Sequence, residues 1–148
     1  MIKYEDVKLE ETIYVGLFLQ DINEIPVEII NEPTKDMHMT LEFYGKNPCT
    51  FPKELFGKEV SLLVDGAGFY EEAGEIKNQG LRVADESLDI SIEANFSLRE
   101  LFKGKVPHFT LTTVNGGKPM DTYKCVFEDI KPFVVNTKIG AFCREEKI

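Results

Sequence analysis

The segment from Met37 to Tyr44 alternates strictly between apolar and polar side chains and stops at Gly45. A strand turns successive side chains to opposite faces, so this run commits the chain to a half-buried β-strand. Met37, Met39, Leu41 and Phe43 would face a core, with His38, Thr40, Glu42 and Tyr44 on the other side. About half the chain later, His108-Phe109-Thr110-Leu111 repeats the pattern of His38-Met39-Thr40-Leu41, in a second strand-like run ended by Asn115-Gly116-Gly117. The chain has 2 histidines, and both stand in this context. Composition alone gives Thr and Leu at both pairs of positions with a chance of roughly two in 100,000.

The rest of the chain reads as short β-like runs. Ile13 to Leu19 is a buried strand. Pro26 and Pro33 break the stretch from Asp21 to Lys35, which leaves room for a short helical turn and no long helix. Pro52 to Phe56 suggests a brief helix, Glu59 to Val64 a strand, and Asp65-Gly66-Ala67-Gly68 a turn. Phe69-Tyr70, Gly80 to Ala84 and the alternating run Leu88 to Ala94 suggest further strands. Leu98, Leu101 and Phe102 at i, i+3 and i+4 behind Ser97 fit a capped short helix. Tyr123 to Phe127 and Lys138 to Cys143 are the last two strands. With no linker or low-complexity tract, 148 residues make one α+β domain dominated by antiparallel strands. The recurrence of the motif predicts two similar half-domains, each giving one His-x-Thr strand to a shared cleft.

Charge narrows the partners. Seventeen basic residues stand against 26 acidic ones, a net charge of −9. A protein that grips a long nucleic acid needs a basic face to neutralise phosphates, so a long RNA or DNA track is disfavoured and a nucleotide substrate would be short. No run approaches the ~20 apolar residues of a membrane span, and the charged opening residues lack the apolar core of a signal peptide. Cys49, Cys125 and Cys143 have no CxxC spacing, which points away from disulfides and zinc and toward a reducing cytoplasm. A monomer is expected.

His and Thr two apart on a strand point the same way, with Cα atoms ~6.5–7 Å apart. Two such strands side by side converge two imidazoles and two hydroxyls on one cavity. Cleaving a phosphodiester needs a base for the attacking oxygen and an acid for the departing one. Histidine's ordinary pKa of ~6.5 suits both roles. Thr40 and Thr110 can donate to the non-bridging oxygens, where charge develops. Neither metal nor cofactor is required, and two histidines without a carboxylate cluster make a poor metal site. His38 and His108 are therefore the candidate catalytic residues, with His108 the favoured base and His38 the acid. An acidic surrounding field should raise both pKa values. Tyr44 would share the site face and stack on a base, although ~20 Å of extended strand separates it from His38.

These motifs resemble the 2H phosphoesterase superfamily, also called LigT-like, whose signature is a pair of H-x-T/S-hydrophobic strands. His38 to Gly45 is similar to the family's HxTLxFxG run, and Tyr14-Val15-Gly16-Leu17 to its opening strand. Val60 to Phe69 is similar to the family's next strand and its glycine turn. His108 to Thr113 with Gly116-Gly117-Lys118-Pro119 looks closest to the cyclic phosphodiesterase domain of fungal and plant tRNA ligases. The resemblance implies a bilobal α+β fold, two antiparallel sheets flanked by short helices, with the site in the cleft between lobes. It implies His38 and His108 as acid and base, and Thr40 and Thr110 as phosphate ligands. Many relatives place an arginine after the second motif, where this chain has Thr112 and Thr113; Lys118 would supply that positive charge.

The leading expectation is a metal-independent phosphodiesterase for a small cyclic nucleotide or a 2′-5′-linked oligonucleotide, a class that includes nucleotide messengers of immunity. A 2′,3′-cyclic phosphodiesterase acting on RNA ends is the second reading, and a protein that sequesters a nucleotide without turnover is the third.

Overall fold

The computed structural model describes residues 1–93 and 96–144. In chain order the strands are β1 (Ile2–Lys3), β2 (Thr12–Leu19), β3 (His38–Phe43), β4 (Glu59–Glu72), β5 (Glu75–Val83), β6 (Ser91–Glu93), β7 (Phe96–Ser97), β8 (His108–Thr113) and β9 (Val126–Cys143). The α-helix among the described residues is α1 (Leu98–Leu101), where the Ser97 hydroxyl accepts from the Glu100 N–H at 3.3 Å as its expected cap. Short 3-10 turns complete the chain, at Ile22–Glu24 and Lys53–Leu55 among other places.

The main sheet runs β3-β2-β9-β4-β5-β8, with β1 added to β9 beyond Glu59, where β4 begins, and every pairing is antiparallel. β3 and β8, the two ends of this path, come side by side without forming a ladder, so the sheet is a nearly closed, barrel-like surface. β6 and β7 form a separate two-stranded ribbon. The expected bilobal, helix-flanked α+β architecture with two sheets is therefore not what this chain forms. The reason lies in β4 and β9, which pair from Glu59 opposite Lys138 to Phe69 opposite Val126 and join both halves into one sheet.

The expected turn at Asp65 to Gly68 is absent because its glycines serve close approach. A Cβ on Gly68 would lie 1.9 Å from the Val126 carbonyl oxygen, so glycine lets β9 pass while the strand continues. The reversal comes later, at Ala73-Gly74, where φ values of 53° and 80° make a two-residue hairpin turn between Glu72 and Glu75. Tyr123 and Lys124 likewise end a 3-10 turn, and β9 runs unbroken from Val126. Pro132 falls where the β4 register jumps between Phe133 and Asp129, a bulge that tolerates its missing N–H. Of the expected strand from Leu88 to Ala94, Leu88 sits in a 3-10 turn, Ser91–Glu93 is strand, and Ala94 lies outside the described residues.

One face of the sheet makes the core: Leu17, Met39, Leu62, Leu81, Phe109, Leu111 and Ile139 are fully buried. Phe51, Leu55, Leu88, Leu98 and Phe102 from the connecting segments pack against it. Cys49, Cys125 and Cys143 are free and buried, and burial pushes the Cys125 thiol up to about 11.

The motif repeat reappears as a repeat of register. On β2 and β3, Tyr14 faces Phe43, Val15 faces Glu42, Gly16 faces Thr40 and Phe18 faces His38. On β5 and β8, Asn78 faces Thr113, Gln79 faces Thr112, Gly80 faces Thr110 and Arg82 faces His108. Each ladder skips one residue at the same place, Leu41 in one and Leu111 in the other. The next strands continue the match, since Gly16 pairs with Gly140 and Gly80 with Gly68. The likeness lies within one continuous sheet.

The skipped residue also corrects the face assignment of β3. A bulge puts two residues against one and re-aims the side chains beyond it. Phe43, expected in the core, is 72% exposed, and Tyr44, expected on the site face, is 9% exposed.

The proline-broken segment after β2 has its one short turn and then lies against the other half. The Gln79 side chain donates to the Glu28 carbonyl at 2.9 Å and accepts from the Ile30 N–H at 3.0 Å. The Thr112 hydroxyl donates to the Glu32 carbonyl at 2.6 Å, and the Thr34 N–H donates to the Leu111 carbonyl at 2.8 Å. Polar side chains of β5 and β8 thus satisfy backbone that no helix or ladder pairs.

Candidate active site

Each histidine opens its strand and is fixed by the carbonyl two residues before it. His38 Nδ1 lies 2.9 Å from the Asp36 carbonyl oxygen, and His108 Nδ1 lies 2.6 Å from that of Val106. A carbonyl only accepts, so Nδ1 carries the proton in both rings and the neutral imidazole presents its lone pair at Nε2. The His38 Nε2 is 3.1 Å from the Thr40 hydroxyl, which donates to it. The His108 Nε2 makes no hydrogen bond among the described residues.

These four side chains line one cleft of about 380 Å³ between β3 and β8. His38, Thr40, His108 and Thr110 meet there with Tyr14, Thr34, Phe43, Phe102, Pro119 and Met120. No carboxylate, thiol or basic side chain lines it among the described residues. Nor do three His, Cys, Asp or Glu side chains gather as a metal site anywhere among them.

The two halves hold their residues differently. His38 stacks on Tyr14, with ring centroids 4.8 Å apart at 24°, and tilts against Phe18 at 5.0 Å. Tyr14 in turn stacks on Phe142 at 5.0 Å and 7°. Burial and the Asp36 charge push the Tyr14 hydroxyl up to about 12, so it stays a protonated donor at the cleft wall. In the second half Thr110 is held by a polar chain. Its hydroxyl is 2.6 Å from that of Thr122, which accepts from the Asn78 amide at 3.0 Å. The same amide donates to the Lys118 carbonyl at 2.8 Å. Thr122 and Asn78 are fully buried.

Lys118 therefore contributes its backbone; its side chain is exposed and is not among the cleft-lining residues. Tyr44 belongs to the core, where its hydroxyl bonds Glu42. Tyr14, Phe43, Thr122 and Asn78 escaped sequence reasoning. The shared Gly16-Leu17 and Gly80-Leu81 pairs were the available signal, because they mark the strands that carry the two His-x-Thr runs.

Burial lowers the pKa of both histidines. For His38 the Asp36 carbonyl and charge oppose it, and the nearby His108 charge adds to it. For His108 the Val106 carbonyl opposes it. The expected raising by acidic surroundings is thus reversed, because desolvation of the ring outweighs the field of distant carboxylates. This sets the sign of the pH dependence of stability. With folded pKa values below the unfolded ~6.5, the unfolded chain takes up protons first as pH falls. The contribution of the neutral rings is complete above ~6.5 and is lost as pH falls below it. The melting temperature should therefore drop between about pH 7 and pH 5.5, and the His38→Gln/His108→Gln double variant should drop less over that window. An unchanged slope in thermal melts at stepped pH would refute the assignment of neutral rings.

No family model, curated protein or solved structure matches this chain.

Proposed function

We propose that the chain is a metal-independent phosphodiesterase of the 2H type, cleaving a small cyclic nucleotide or a 2′-5′-linked oligonucleotide. The observation that carries this is the convergence of both His-x-Thr pairs on one cleft that no other titratable group except Tyr14 lines, among the described residues. His108, with its free Nε2 lone pair, is the base that takes a proton from water as the water oxygen bonds phosphorus. His38, beside the Asp36 charge, is the acid that protonates the departing oxygen as its bond to phosphorus breaks. One water is consumed and the two rings exchange protonation states, which bulk water resets. Once His38 Nε2 carries the acid's proton, the Thr40 hydroxyl no longer donates to it, and Thr40 and Thr110 can donate to the non-bridging oxygens. The two imidazoles without a carboxylate or thiol make a poor metal site, which supports metal independence.

A cleft lined by no basic side chain among the described residues suits a small substrate better than an RNA end, whose flanking phosphates need neutralising. The three buried thiols support action in a reducing cytoplasm. No helix of the described residues is long and apolar enough to cross a membrane.

The test incubates purified protein with EDTA and a panel of cyclic di- and trinucleotides, 2′-5′ oligoadenylates and 2′,3′-cyclic nucleotides. Cleavage of one class is expected, with an optimum in kcat/KM on the acid side of ~6.5, because burial lowers both rings. Tight retention of an unchanged ligand would identify a sequestering protein instead. A rate that appears only with added divalent metal would refute the mechanism.

A further inference from the structure

The cleft has a neighbour. A groove of about 680 Å³ adjoins it and shares Thr40, Phe43, Phe102 and His108 with it. Its far wall is Leu101, Gly104, Lys105, Val106 and Tyr123. The shared residues include one imidazole and one hydroxyl of the site, so the reacting centre lies on the boundary between two compartments.

The groove's chemistry differs from the cleft's. Phe43, Val106 and Tyr123 are 72%, 40% and 55% exposed. Such a cluster of apolar side chains around a polar centre marks a surface that a ligand covers. The Tyr123 ring lines the groove wall, with Lys124 Nζ 5.8 Å from its centroid. Lys105 is the one basic residue lining either compartment among the described residues. Glu42 lines the groove too, its carboxylate held by the Tyr44 hydroxyl. Exposed rings for stacking, one cation and one fixed acceptor for an amine or sugar hydroxyl suit a nucleoside.

Resting on the phosphodiesterase reading, we propose that the substrate carries a nucleoside on each side of the scissile phosphate, one in the cleft and the other in the groove against Tyr123. The substrate class is then a dinucleotide or short oligonucleotide, linear or cyclic. A mononucleoside 2′,3′-cyclic phosphate would fill one compartment and leave the exposed rings uncovered. Hydrolysis of the linking bond parts the two nucleosides into separate compartments, or opens the ring of a cyclic substrate between them.

Calorimetry tests this with His108→Ala protein, whose turnover should be slowed about 10²–10⁴-fold. A 2′-5′-linked diadenylate is compared with adenosine 2′,3′-cyclic phosphate. Adding Tyr123→Ala should weaken the diadenylate at least about tenfold and the cyclic mononucleotide less than twofold, given base–aromatic stacking of ~1–3 kcal/mol. Tyr123→Phe, which keeps the ring, should restore the affinity. Equal losses for both ligands, or none for either, overturn the proposal. Tyr123 is exposed, so folding is not at stake, and a melting curve checks it. Selective binding of the diadenylate by a wild-type protein that cleaves nothing would leave the groove standing and remove the phosphodiesterase reading alone.

Discussion

Replacing either imidazole is expected to remove turnover: His38→Ala and His108→Ala should each lower kcat/KM by about 10²–10⁴. The two rings have no substitute in the cleft, since its other polar lining is hydroxyl, and Tyr14 is held protonated. On the proposed mechanism acid and base act in one step, so the double variant should be little worse than either single one. The pH profile separates the roles. In His38→Ala the limb that reports the acid should vanish, and a substrate whose leaving group needs no protonation should recover most of the rate. His108→Ala should gain nothing from that substrate. Its recovery in both variants, or in neither, would reverse or abolish the assignment. Fold loss is checked in the same samples: His38 stacks on Tyr14 and Phe18, so some stability falls with it, whereas His108 has no ring contact among the described residues.

The largest stability effect should come from the residue between the second motif's two polar positions. Phe109 is 1% exposed and pairs with Leu81 in the core. Phe109→Ala should cost about 3–5 kcal/mol, the lost burial plus the cavity left by a ring whose neighbours belong to fixed strands. For a domain with ordinary marginal stability this approaches the whole margin. Phe43→Ala is the matching experiment, because the alternating sequence makes the two phenylalanines look alike. Phe43 is largely exposed, and its truncation should change stability by no more than about 0.5 kcal/mol. Urea unfolding of the two variants decides it. Similar losses would mean that the bulge at Leu41 is not formed.

That pair shows how far the sequence could be read. Strands β3 and β8 were legible because their side chains alternate, β2 because its apolar run is continuous, and α1 because its cap and spacing agree. The convergence of the four site residues was legible because the same tetrapeptide pattern occurs twice. Phe43 and Tyr44 were misplaced because a bulge depends on which residue the partner strand offers, and a single strand's alternation does not carry that. The glycines of β4 were misread as a turn, since the need for close approach belongs to Val126, far away in the chain. Two lobes were expected because the motif recurs. The register does recur, but the length of β4 and β9 joins what would have been two sheets. The sign of the histidine shifts was hidden for a similar reason: net charge is visible in a sequence, and burial of an individual ring is not.

His38 and His108 stand on the two edge strands of the sheet, and no backbone ladder spans the line between them. Elsewhere the barrel is stitched strand to strand; here it is tied by the segment from Glu28 to Thr34, which leads into β3 and is held to β5 and β8 by Gln79, Thr112 and Leu111. The span from one imidazole to the other is therefore set by a tether and not by the loom of the sheet. Lengthening, shortening or loosening that tether should change the spacing of the two imidazoles while leaving every ladder in place.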